Sequence, residues 1–542
     1  MYRKRLIGFG LITTLFCLLL VIRLYYIQMV KSSFYSDLAL RQRSNEISTN
    51  TKRGTIFDRN LEALTNKESV KTLVVHKNLL NEDQLLYQEV LENTLLSQED
   101  LKELVNSNNF ILKIPVEDDF KINHSNIYFV DIVQRYRSDN ILSHVIGYIN
   151  KSENSGESGL ERVYDEYLNV GNEKSLLLEY DRSREIVLNA SEHVSEKDDP
   201  NNPSAIKLTI DSQIQERVER IMDEEKVKGA VVVSEVESGK ILAMASRPNF
   251  KQDEIYEYLN KSDMALYNKA IQVSYPPGSI FKLVVLIAAL ESEMEFENRE
   301  YVCNGYEEIN GVKIKCTGVH EILNLDEAFY KSCNSVFIQL SKELGGRAII
   351  DTAKRLGLGE KIGIGLMEEV SGNLPEDDEI HGAAVGNIAI GQGKIESTPL
   401  QITNLLMIIA NGGIQKQLFL VEGITNKEGM ILKEINKDSD IQIISAEVSN
   451  KVKKNLIDVV EKGTGRAIDT SYFGGAGGKT GSAEAVLYGK SAIHGWFSGF
   501  FPQDKPKYVM TILVENGNSG SKSAAPIFEK IAKEIDKIYP VY

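Results

Sequence analysis

A run of seventeen uncharged residues, Leu6 to Ile22, constrains this chain most, because its length and composition suit a helix that spans a bilayer. At about 1.5 Å of rise per residue, such a helix reaches the lower limit for crossing the hydrocarbon core. Arg23 can extend its charge to the interface, and Tyr25 and Tyr26 suit an aromatic belt. The following LYYIQMV lacks the small residues of a signal-peptide cleavage site. The sequence therefore predicts an uncleaved transmembrane anchor.

Charge predicts how this anchor is oriented and which partners are excluded. Arg3, Lys4 and Arg5 favour a cytoplasmic N-terminus, so the rest of the chain is expected outside the cytoplasm. We find no second apolar run of that length, which predicts a single-pass protein of the cell membrane. The net charge of −15 excludes nucleic acid as a main partner, since phosphate binding needs clustered Lys and Arg.

The length of 542 residues suggests several domains, and the texture of the sequence changes along the chain. Residues 31–204 are polar, with short apolar strands at 110–116 and 127–133 and one or two amphipathic helices over 81–105. Residues 191–204, SEHVSEKDDPNNPS, are typical of a linker. The sequence predicts three segments, an anchor at 1–30 and domains at 31–204 and 205–542.

Strands are predicted near both ends of the segment 205–542. IKLTID and the two halves of GAVVVSEVESGKILAMAS come early, with a helix between them. GGKTGSAEA, HGWFSGFF and KYVMTILVEN are predicted as three successive late strands, followed by a C-terminal helix. This order favours one α+β domain whose sheet joins its two ends.

A lysine lies inside an apolar helical run, YPPGSIFKLVVLIAALE. If the helix begins near Ser279, then Ser279 and Lys282 are one turn apart on one face. The run stays apolar until Glu291, so burial should lower the pKa of Lys282 and leave a general base beside a nucleophile. Backbone N–H groups at the helix start suit an oxyanion. The alternative is a surface lysine on an amphipathic helix.

Two further motifs favour the catalytic interpretation. Ser332–Asn334 follows a helical stretch, and Lys479–Gly481 lies in the glycine-rich strand GGAGGKTGSAEA, where a ligand backbone can approach closely. Taken singly, the first could be a helix cap and the second a plain hairpin strand. SxxK, then S-x-N, then KTG is the motif order of penicillin-binding proteins and class A β-lactamases.

With these motifs, the chain resembles a class B penicillin-binding protein, a monofunctional peptidoglycan D,D-transpeptidase. RGTIFDRN (53–60) is similar to the family's N-terminal box, although Leu61 replaces the usual Gly, and HVIGYIN (144–150) and SGLERVYDEYLNVG (158–171) match its pedestal signatures. The resemblance implies an α+β transpeptidase domain of the penicillin-binding and β-lactamase type, an antiparallel sheet flanked by helices. It also implies an elongated N-terminal pedestal and one transmembrane helix.

The resemblance assigns catalytic roles to the matching residues. Ser279 attacks the penultimate D-Ala carbonyl of a D-Ala-D-Ala stem peptide, and Lys282 takes its proton. Ser332 relays a proton to the leaving D-Ala, Asn334 orients Lys282, and Lys479 supplies positive potential. An amine of a neighbouring stem peptide then attacks the acyl-enzyme and forms the cross-link.

Substrate binding is assigned in the same way. The hydroxyls of Thr480 and Ser482, on either side of Gly481, are expected to hold the terminal carboxylate, and the N–H groups of Ser279 and Ser482 the oxyanion. The chemistry needs no cofactor. The implied partners are stem peptides of the lipid-linked precursor, β-lactam antibiotics and a polytopic membrane glycosyltransferase.

Three alternatives remain open. A β-lactamase would need a carboxylate that activates water, and Glu369 with Asn373 could imitate it, although the resemblance assigns this stretch to a structural loop. A D,D-carboxypeptidase would use water as the acceptor. A scaffold with a vestigial site would not need the nucleophile.

A possible metal or redox site precedes the second motif. Cys303, Cys316 and His320 offer three ligands in a spacing that suits tetrahedral zinc. A disulfide between the two cysteines and a pair of reduced thiols are the other interpretations. Asp326 is a candidate fourth ligand, and Cys333 is predicted to pack in the core.

Overall fold

The protein is described by a computed structural model. It describes residues 2–32, 34–35, 38, 44–48, 53–122, 124, 126–169, 174–179, 191–194, 202–435, 440–487 and 490–541. Half of the predicted linker at 191–204, residues 195–201, lies outside these residues.

The described chain contains fifteen α-helices, and several are only one or two turns long. In chain order they are α1 (Tyr2–Tyr25), α2 (Lys77–Glu82), α3 (Gln84–Asn93), α4 (Gln98–Asn106), α5 (Ser143–Ile146), α6 (Gly159–Val163), α7 (Asp165–Leu168), α8 (Ser212–Glu224), α9 (Lys282–Glu291), α10 (Leu325–Tyr330), α11 (Asn334–Arg355), α12 (Ala384–Ala389), α13 (Pro399–Ala410), α14 (Ala446–Glu461) and α15 (Gly520–Ile538).

The strands form small sheets and one larger sheet. They are β1 (Ser44–Ser48), β2 (Ile56–Phe57), β3 (Ser69–His76), β4 (Ile111–Pro115), β5 (Ile127–Val133), β6 (Ile149–Asn150), β7 (Ser155–Gly156), β8 (Lys174–Glu179), β9 (Ser191–Val194), β10 (Ala205–Leu208), β11 (Gly229–Glu235), β12 (Ile241–Arg247), β13 (Tyr301–Cys303), β14 (Tyr306–Ile309), β15 (Val312–Lys315), β16 (Glu321–Leu323), β17 (Ile414–Gln415), β18 (Val421–Thr425), β19 (Ile431–Glu434), β20 (Ile441–Gln442), β21 (Gly477–Leu487), β22 (Lys490–Phe501) and β23 (Tyr508–Val514).

The chain forms two compact units that are discontinuous in sequence. The first unit comprises Met1–Lys52, Asn66–Arg135 and Gly171–Asp199, and the second comprises Arg53–Thr65, Tyr136–Val170 and Pro200–Tyr542. Two segments from within the predicted pedestal therefore pack with the C-terminal unit. The domain limits at 30 and 204 stay a prediction from sequence.

The N-terminal apolar run forms a helix, as predicted. Tyr2–Val30 is helical, with a mean hydropathy of 2.3 in its most apolar window and no buried residues in that window. Among the described residues it is the one helix long and apolar enough to cross a membrane.

In the first unit, an antiparallel sheet of order β4-β3-β5 packs with α2, α3 and α4 around its own apolar core. The amphipathic stretch 81–105 forms two helices rather than one. The break occurs because α3 ends at Asn93 and the Ser97 side chain then accepts from the backbone N–H of Asp100, which caps a new helix.

The second unit is built on an antiparallel sheet of order β12-β11-β23-β22-β21. This order confirms that β11 and β12 share one sheet with the three late strands, whereas β10, from IKLTID, pairs with β18 and β2 in a separate sheet. Alternate residues of β11 enter different cores: Val231 belongs to the apolar core that includes residues of α8 and α15, and Val232 to the core that includes residues of α9 and α13. β21, which carries the KTG motif, lies at the edge of this sheet.

The RGTIFDRN segment begins with a buried charge network. The Arg53 side chain is 1% exposed, and its guanidinium donates to Glu161 at 2.8 Å and to Asp165 at 2.7 Å. These two ion pairs link Arg53, at the start of the segment, to α6 and α7 within the second unit. Removing one partner of such a network leaves an uncompensated buried charge.

Leu61 occupies a backbone conformation that favours glycine. Its φ of 66° lies in the left-handed region, which suits the Gly that the resemblance leads us to expect there. The turn nevertheless closes, because Asp58 Oδ1 accepts from the N–H groups of Asn60 at 2.7 Å and Glu62 at 2.8 Å. The departure from the family pattern leaves this turn intact.

Replacing Glu161 by Gln is expected to destabilise the second unit by about 3 kcal/mol, since Arg53 would lose its buried counter-charge. Denaturant unfolding of the full-length protein in detergent measures this change. Asp253→Asn is the matched control: Asp253 pairs with Lys151 at 2.8 Å, but the two side chains are 43% and 63% exposed. The control should cost less than about 1 kcal/mol. Equal losses in the two variants would contradict a structural role for the buried network.

Candidate active site

Ser279 lies in a tight turn rather than in an α-helix. Gly278–Phe281 forms a 3₁₀ turn, and α9 begins only at Lys282, so the helix starts later than predicted. In a 3₁₀ turn the side chains at i and i+3 eclipse one another. Ser279, which is half-buried, and Lys282 therefore share one face, as predicted.

Backbone packing holds this turn against the KTG strand. Gly278 has a φ of 56°, and a Cβ there would lie 2.7 Å from the carbonyl oxygen of Ser482. Glycine is required for both reasons. The turn is also held from behind, since Trp496 Nε1 donates to the Pro276 carbonyl at 3.0 Å and Gly278 N donates to the Gly391 carbonyl at 3.0 Å.

Lys282 is fully buried, as the apolar helix predicted. Its ammonium donates to the Asn334 side-chain oxygen at 2.7 Å, the Ser332 carbonyl at 2.7 Å and Ser332 Oγ at 3.2 Å, and it lies over the Phe337 ring. Burial lowers the pKa of Lys282 to about 8. Within the described residues no hydrogen bond joins Lys282 Nζ to Ser279 Oγ, a looseness common in catalytic pairs before substrate binds.

Ser332 connects two buried lysines. Its hydroxyl accepts from Lys282 at 3.2 Å and from Lys479 at 3.1 Å. Its φ of 56° is unusual for a residue other than glycine, and such strain is found at functional sites that the surroundings hold in place. Lys479 is also fully buried, and its pKa lies well below the usual range because of burial and the nearby Lys282 charge.

Glycines keep the KTG strand close to its neighbours. A Cβ at Gly481 would lie 2.9 Å from the Pro277 carbonyl oxygen, and one at Gly478 would lie 2.5 Å from the Phe497 ring. Ser482 is exposed, and its hydroxyl accepts from the backbone N–H of Gly520 at 3.2 Å. The strand therefore lies directly beside the turn that carries Ser279.

One residue beside this strand was not predicted. Thr464 follows α14, and its Oγ1 lies 2.6 Å from Thr480 Oγ1. Nothing in the sequence motifs pointed to it, because it belongs to another element, and a threonine between two glycines has no diagnostic spacing.

The three predicted motifs thus meet in one place. The site combines the half-buried hydroxyl of Ser279 with the buried amine of Lys282, whose pKa is lowered. The hydroxyl of Ser332 links Lys282 to Lys479. These groups suit nucleophilic acyl transfer. The chemistry needs no metal in contact with these groups.

Cys303, Cys316, His320 and Cys333 form a compact cluster whose ligand atoms all lie within 4.8 Å of one another. His320 Nδ1 is 3.5 Å from both Cys303 Sγ and Cys316 Sγ, and Cys316 Sγ is 3.7 Å from Cys333 Sγ. Tetrahedral Zn²⁺ with Zn–S bonds of about 2.3 Å separates two sulfurs by about 3.8 Å, and a sulfur from a nitrogen by about 3.5 Å. The four residues therefore fit this ion.

The cluster corrects three predictions. Cys333 is buried, but its sulfur joins the cluster rather than serving only as packing. Asp326, the predicted fourth ligand, instead pairs with Lys454 at 3.9 Å on the surface. Cys303 and Cys316 are free thiols and do not form the alternative disulfide.

The cluster also contacts the catalytic motif. The backbone N–H of Asn334 donates to Cys316 Sγ at 3.2 Å. A hydrogen bond from Cys333 lowers the pKa of Cys316, so Cys316 is the more acidic thiol of the two. The side chain between Ser332 and Asn334 thus points into the cluster, while its two neighbours contact Lys282.

Glu369 has a structural role, as the resemblance implied. Its buried carboxylate accepts from the backbone N–H groups of Ile362, Gly363 and Ile364. Burial raises its pKa despite these bonds. A carboxylate held in this way by its own loop is not available to activate water for deacylation.

Comparison with known proteins gives concordant matches. The model of the penicillin binding protein transpeptidase domain matches residues 229–533, more than half of the chain. Stage V sporulation protein D of Bacillus subtilis is 29% identical, covering 98% of this chain and 85% of that protein. Peptidoglycan D,D-transpeptidase MrdA of Acinetobacter baumannii is 26% identical, covering 97% and 87%.

A solved structure of a peptidoglycan synthase complex, in work on coordinated polymerization and crosslinking, contains a similar chain. It is 25% identical, with a TM-score of 0.73 and 99% of both chains covered. Penicillin-binding protein PBP2 of Helicobacter pylori has the same fold, with a TM-score of 0.70 at 23% identity, and 92% of this chain and 100% of that one are covered. The chain therefore belongs to the penicillin-binding protein transpeptidase family, as a class B D,D-transpeptidase.

Proposed function

We propose that this transpeptidase cross-links peptidoglycan through an acyl-enzyme on Ser279, with Lys282 as the general base. The observation that carries the proposal is the burial of Lys282, which lowers its pKa to about 8 beside the turn of Ser279. A neutral amine at that place can accept a hydroxyl proton.

In the acylation step, Ser279 Oγ bonds to the carbonyl carbon of the penultimate D-Ala and its proton passes to Lys282. The C–N bond to the terminal D-Ala breaks, and the departing amine receives a proton through Ser332, which hydrogen-bonds both lysines. In the second step, an amine of a neighbouring stem peptide attacks the ester carbonyl, the bond to Ser279 breaks, and the proton returns by the same path.

Several groups are placed to bind the charges that develop. The N–H groups of Ser279 and Ser482 serve as the oxyanion hole, where one donor is typically worth ~10²–10³ in rate. Thr480 and Ser482 bind the terminal carboxylate, with positive potential from Lys479. The close approach of Gly278 to the Ser482 backbone supports this assignment, since it brings the two donors together.

The proposed location follows from the charges beside the anchor, and the proposed partner from a similar solved structure. Arg3, Lys4 and Arg5 favour a cytoplasmic N-terminus, which would put the catalytic unit outside the cytoplasm, where lipid-linked stem peptides are cross-linked. A polytopic membrane glycosyltransferase polymerises the glycan strands. The similarity to a chain of a solved peptidoglycan synthase complex supports this partner.

A single covalent benzylpenicillin adduct on Ser279, released slowly, is the expected result of intact-mass and peptide mass spectrometry. The lactam ring opens on the serine, and Glu369 is occupied by its own loop, so water attack is slow. Ser279→Ala should abolish the adduct, while Ser292→Ala, at the other end of α9, should keep it.

Three outcomes would count against the proposal. Rapid penicillin turnover would indicate a β-lactamase, and release of D-Ala without cross-linked product would indicate a carboxypeptidase. Full complementation of a gene deletion by Ser279→Ala would indicate a scaffold.

The rate of acylation should rise with pH, reach half of its maximum near pH 8 and level off above that pH. The base must be neutral to accept a proton, and the neutral fraction of Lys282 grows as pH passes its pKa of about 8. Stopped-flow acylation by a chromogenic cephalosporin measures this profile. Lys282→Arg stays protonated and should lose about 10²–10⁴-fold in rate, whereas Lys342→Arg, on the exposed surface of α11, should not change it. A profile that still climbs at pH 10 would mean that the amine is not desolvated.

We also propose that Cys303, Cys316, His320 and Cys333 hold a structural Zn²⁺. The sulfur and nitrogen separations support it, and so does the mixed thiolate and imidazole donor set. The ion would join β13, the segment after β15 and the start of α11. It would thereby hold the Ser332–Asn334 turn in place.

Elemental analysis should find about one zinc per chain, because four ligands close a structural site. Cys303→Ser should lose most of this zinc and lower the melting temperature, and Cys17→Ser, in α1, should do neither. A metal-free wild type with an unchanged melting temperature in strong chelator would contradict the zinc proposal and leave the acyl-enzyme proposal untouched.

A further inference from the structure

Thr464 carries a hydroxyl that contacts the substrate-binding strand but that neither the motifs nor the proposed mechanism uses. Its Oγ1 lies 2.6 Å from Thr480 Oγ1, which is a strong hydroxyl–hydroxyl hydrogen bond. Thr464 is half-buried and Thr480 is 6% exposed, so the contact is shielded from most competing water.

Close packing and backbone hydrogen bonds hold the loop that carries Thr464 in place. A Cβ at Gly463 would lie 2.3 Å from the Tyr330 carbonyl oxygen, so only glycine fits. The same carbonyl accepts from Thr464 N at 3.3 Å, and Gly465 N donates to the Val459 carbonyl at 2.9 Å. Tyr330 ends α10, two residues before Ser332, so Thr464 is held between the second and third motifs.

The number of hydroxyl protons determines how many hydrogen bonds Thr464 and Thr480 together can donate to a third group. Two hydroxyls carry two protons, and their mutual hydrogen bond uses one. One proton remains, and it can point away from the pair to an acceptor. A carboxylate accepts only, so it selects the arrangement in which Thr464 donates to Thr480 and Thr480 donates to the anion. In a site shielded from water, the hydrogen bond from Thr464 also polarises the Thr480 hydroxyl and strengthens its bond to the anion.

The Lys479 ammonium, the charged donor next to Thr480, already has two acceptors. The Lys479 ammonium donates to Ser332 Oγ at 3.1 Å and to the carbonyl of Thr480 itself at 3.0 Å. It therefore holds the Thr480 backbone and supplies potential, while a direct hydrogen bond to a substrate anion comes most easily from the hydroxyl.

We propose that Thr464 is a positioning residue that orients the Thr480 hydroxyl toward the terminal carboxylate of the donor stem peptide. The two threonines act as one donor unit. This inference rests on the proposed function, in which the cleft binds a peptide ending in D-Ala-D-Ala.

The experiment compares two thioester substrates that both acylate the enzyme through the carbonyl of a D-alanine residue. The leaving group of one ends in a carboxylate, and the leaving group of the other ends in a carboxamide. Thr464→Val keeps the shape and removes the hydroxyl. It should raise KM for the carboxylate donor about tenfold, as expected for one hydrogen bond to a charged group, and change kcat less than twofold. The KM for the carboxamide donor should stay unchanged, and Thr464→Ser should restore the wild-type KM.

Two controls separate orientation from folding. Thr425→Val removes a buried hydroxyl that lacks a hydrogen-bond partner in the described structure, and it should leave both KM values unchanged. The fraction of each variant that forms the penicillin adduct at saturation reports how much protein is folded and competent.

A double-mutant cycle tests whether the pair acts as a unit. Thr480→Val should weaken binding of the carboxylate donor, and adding Thr464→Val should weaken it no further. Additive losses, equal losses for the two donors, or a wild-type KM in Thr464→Val would each overturn the inference. Failure of the proposed function would give a different result, because wild-type protein would then form no penicillin adduct on Ser279.

Discussion

The burial of one ammonium group organises this active site. Lys282 sits at the start of an apolar helix with no exposed surface, and its donors are met by Ser332 and Asn334. A buried amine without such acceptors would destabilise the fold, so the second motif must lie where it does. The same burial lowers the pKa of the amine to about 8, which suits proton transfer. Stability and chemistry therefore depend on a single arrangement.

This arrangement is supported by devices that hold the backbone in unusual positions. Gly278 lets the nucleophile turn approach the KTG strand, and Ser332 adopts a left-handed conformation between the two lysines. Behind Ser332, the cluster of three cysteines and a histidine grips the same turn, with Cys316 accepting from the Asn334 backbone. Backbone conformation and the side chains of this cluster thus fix the positions of the reacting groups.

Local patterns predicted much of the fold and the site. Apolar runs, alternation and motif order were sufficient for the strands of the central sheet, the membrane-length helix and the burial of Lys282. They failed where the answer depends on distant segments. Cys333 was assigned to packing because the side chains that it meets come from other segments. Thr464 went unnoticed because it meets Thr480 only through the packing of α14 on β21. The two compact units also interleave along the chain, which linear composition does not reveal.

By itself, the sequence determined the chemical inventory and the local elements: a serine three residues before a lysine in an apolar helix, a glycine-rich strand, and an N-terminal apolar run. These are properties of neighbouring residues, and the periodicity of helices and strands expresses them directly. Only the tertiary structure decided which hydroxyl joins the two lysines, which fourth residue completes the cysteine cluster, and which threonine faces Thr480. Those pairings bring together groups far apart along the chain, and they arise from packing a whole sheet and its helices, which no short stretch of sequence encodes.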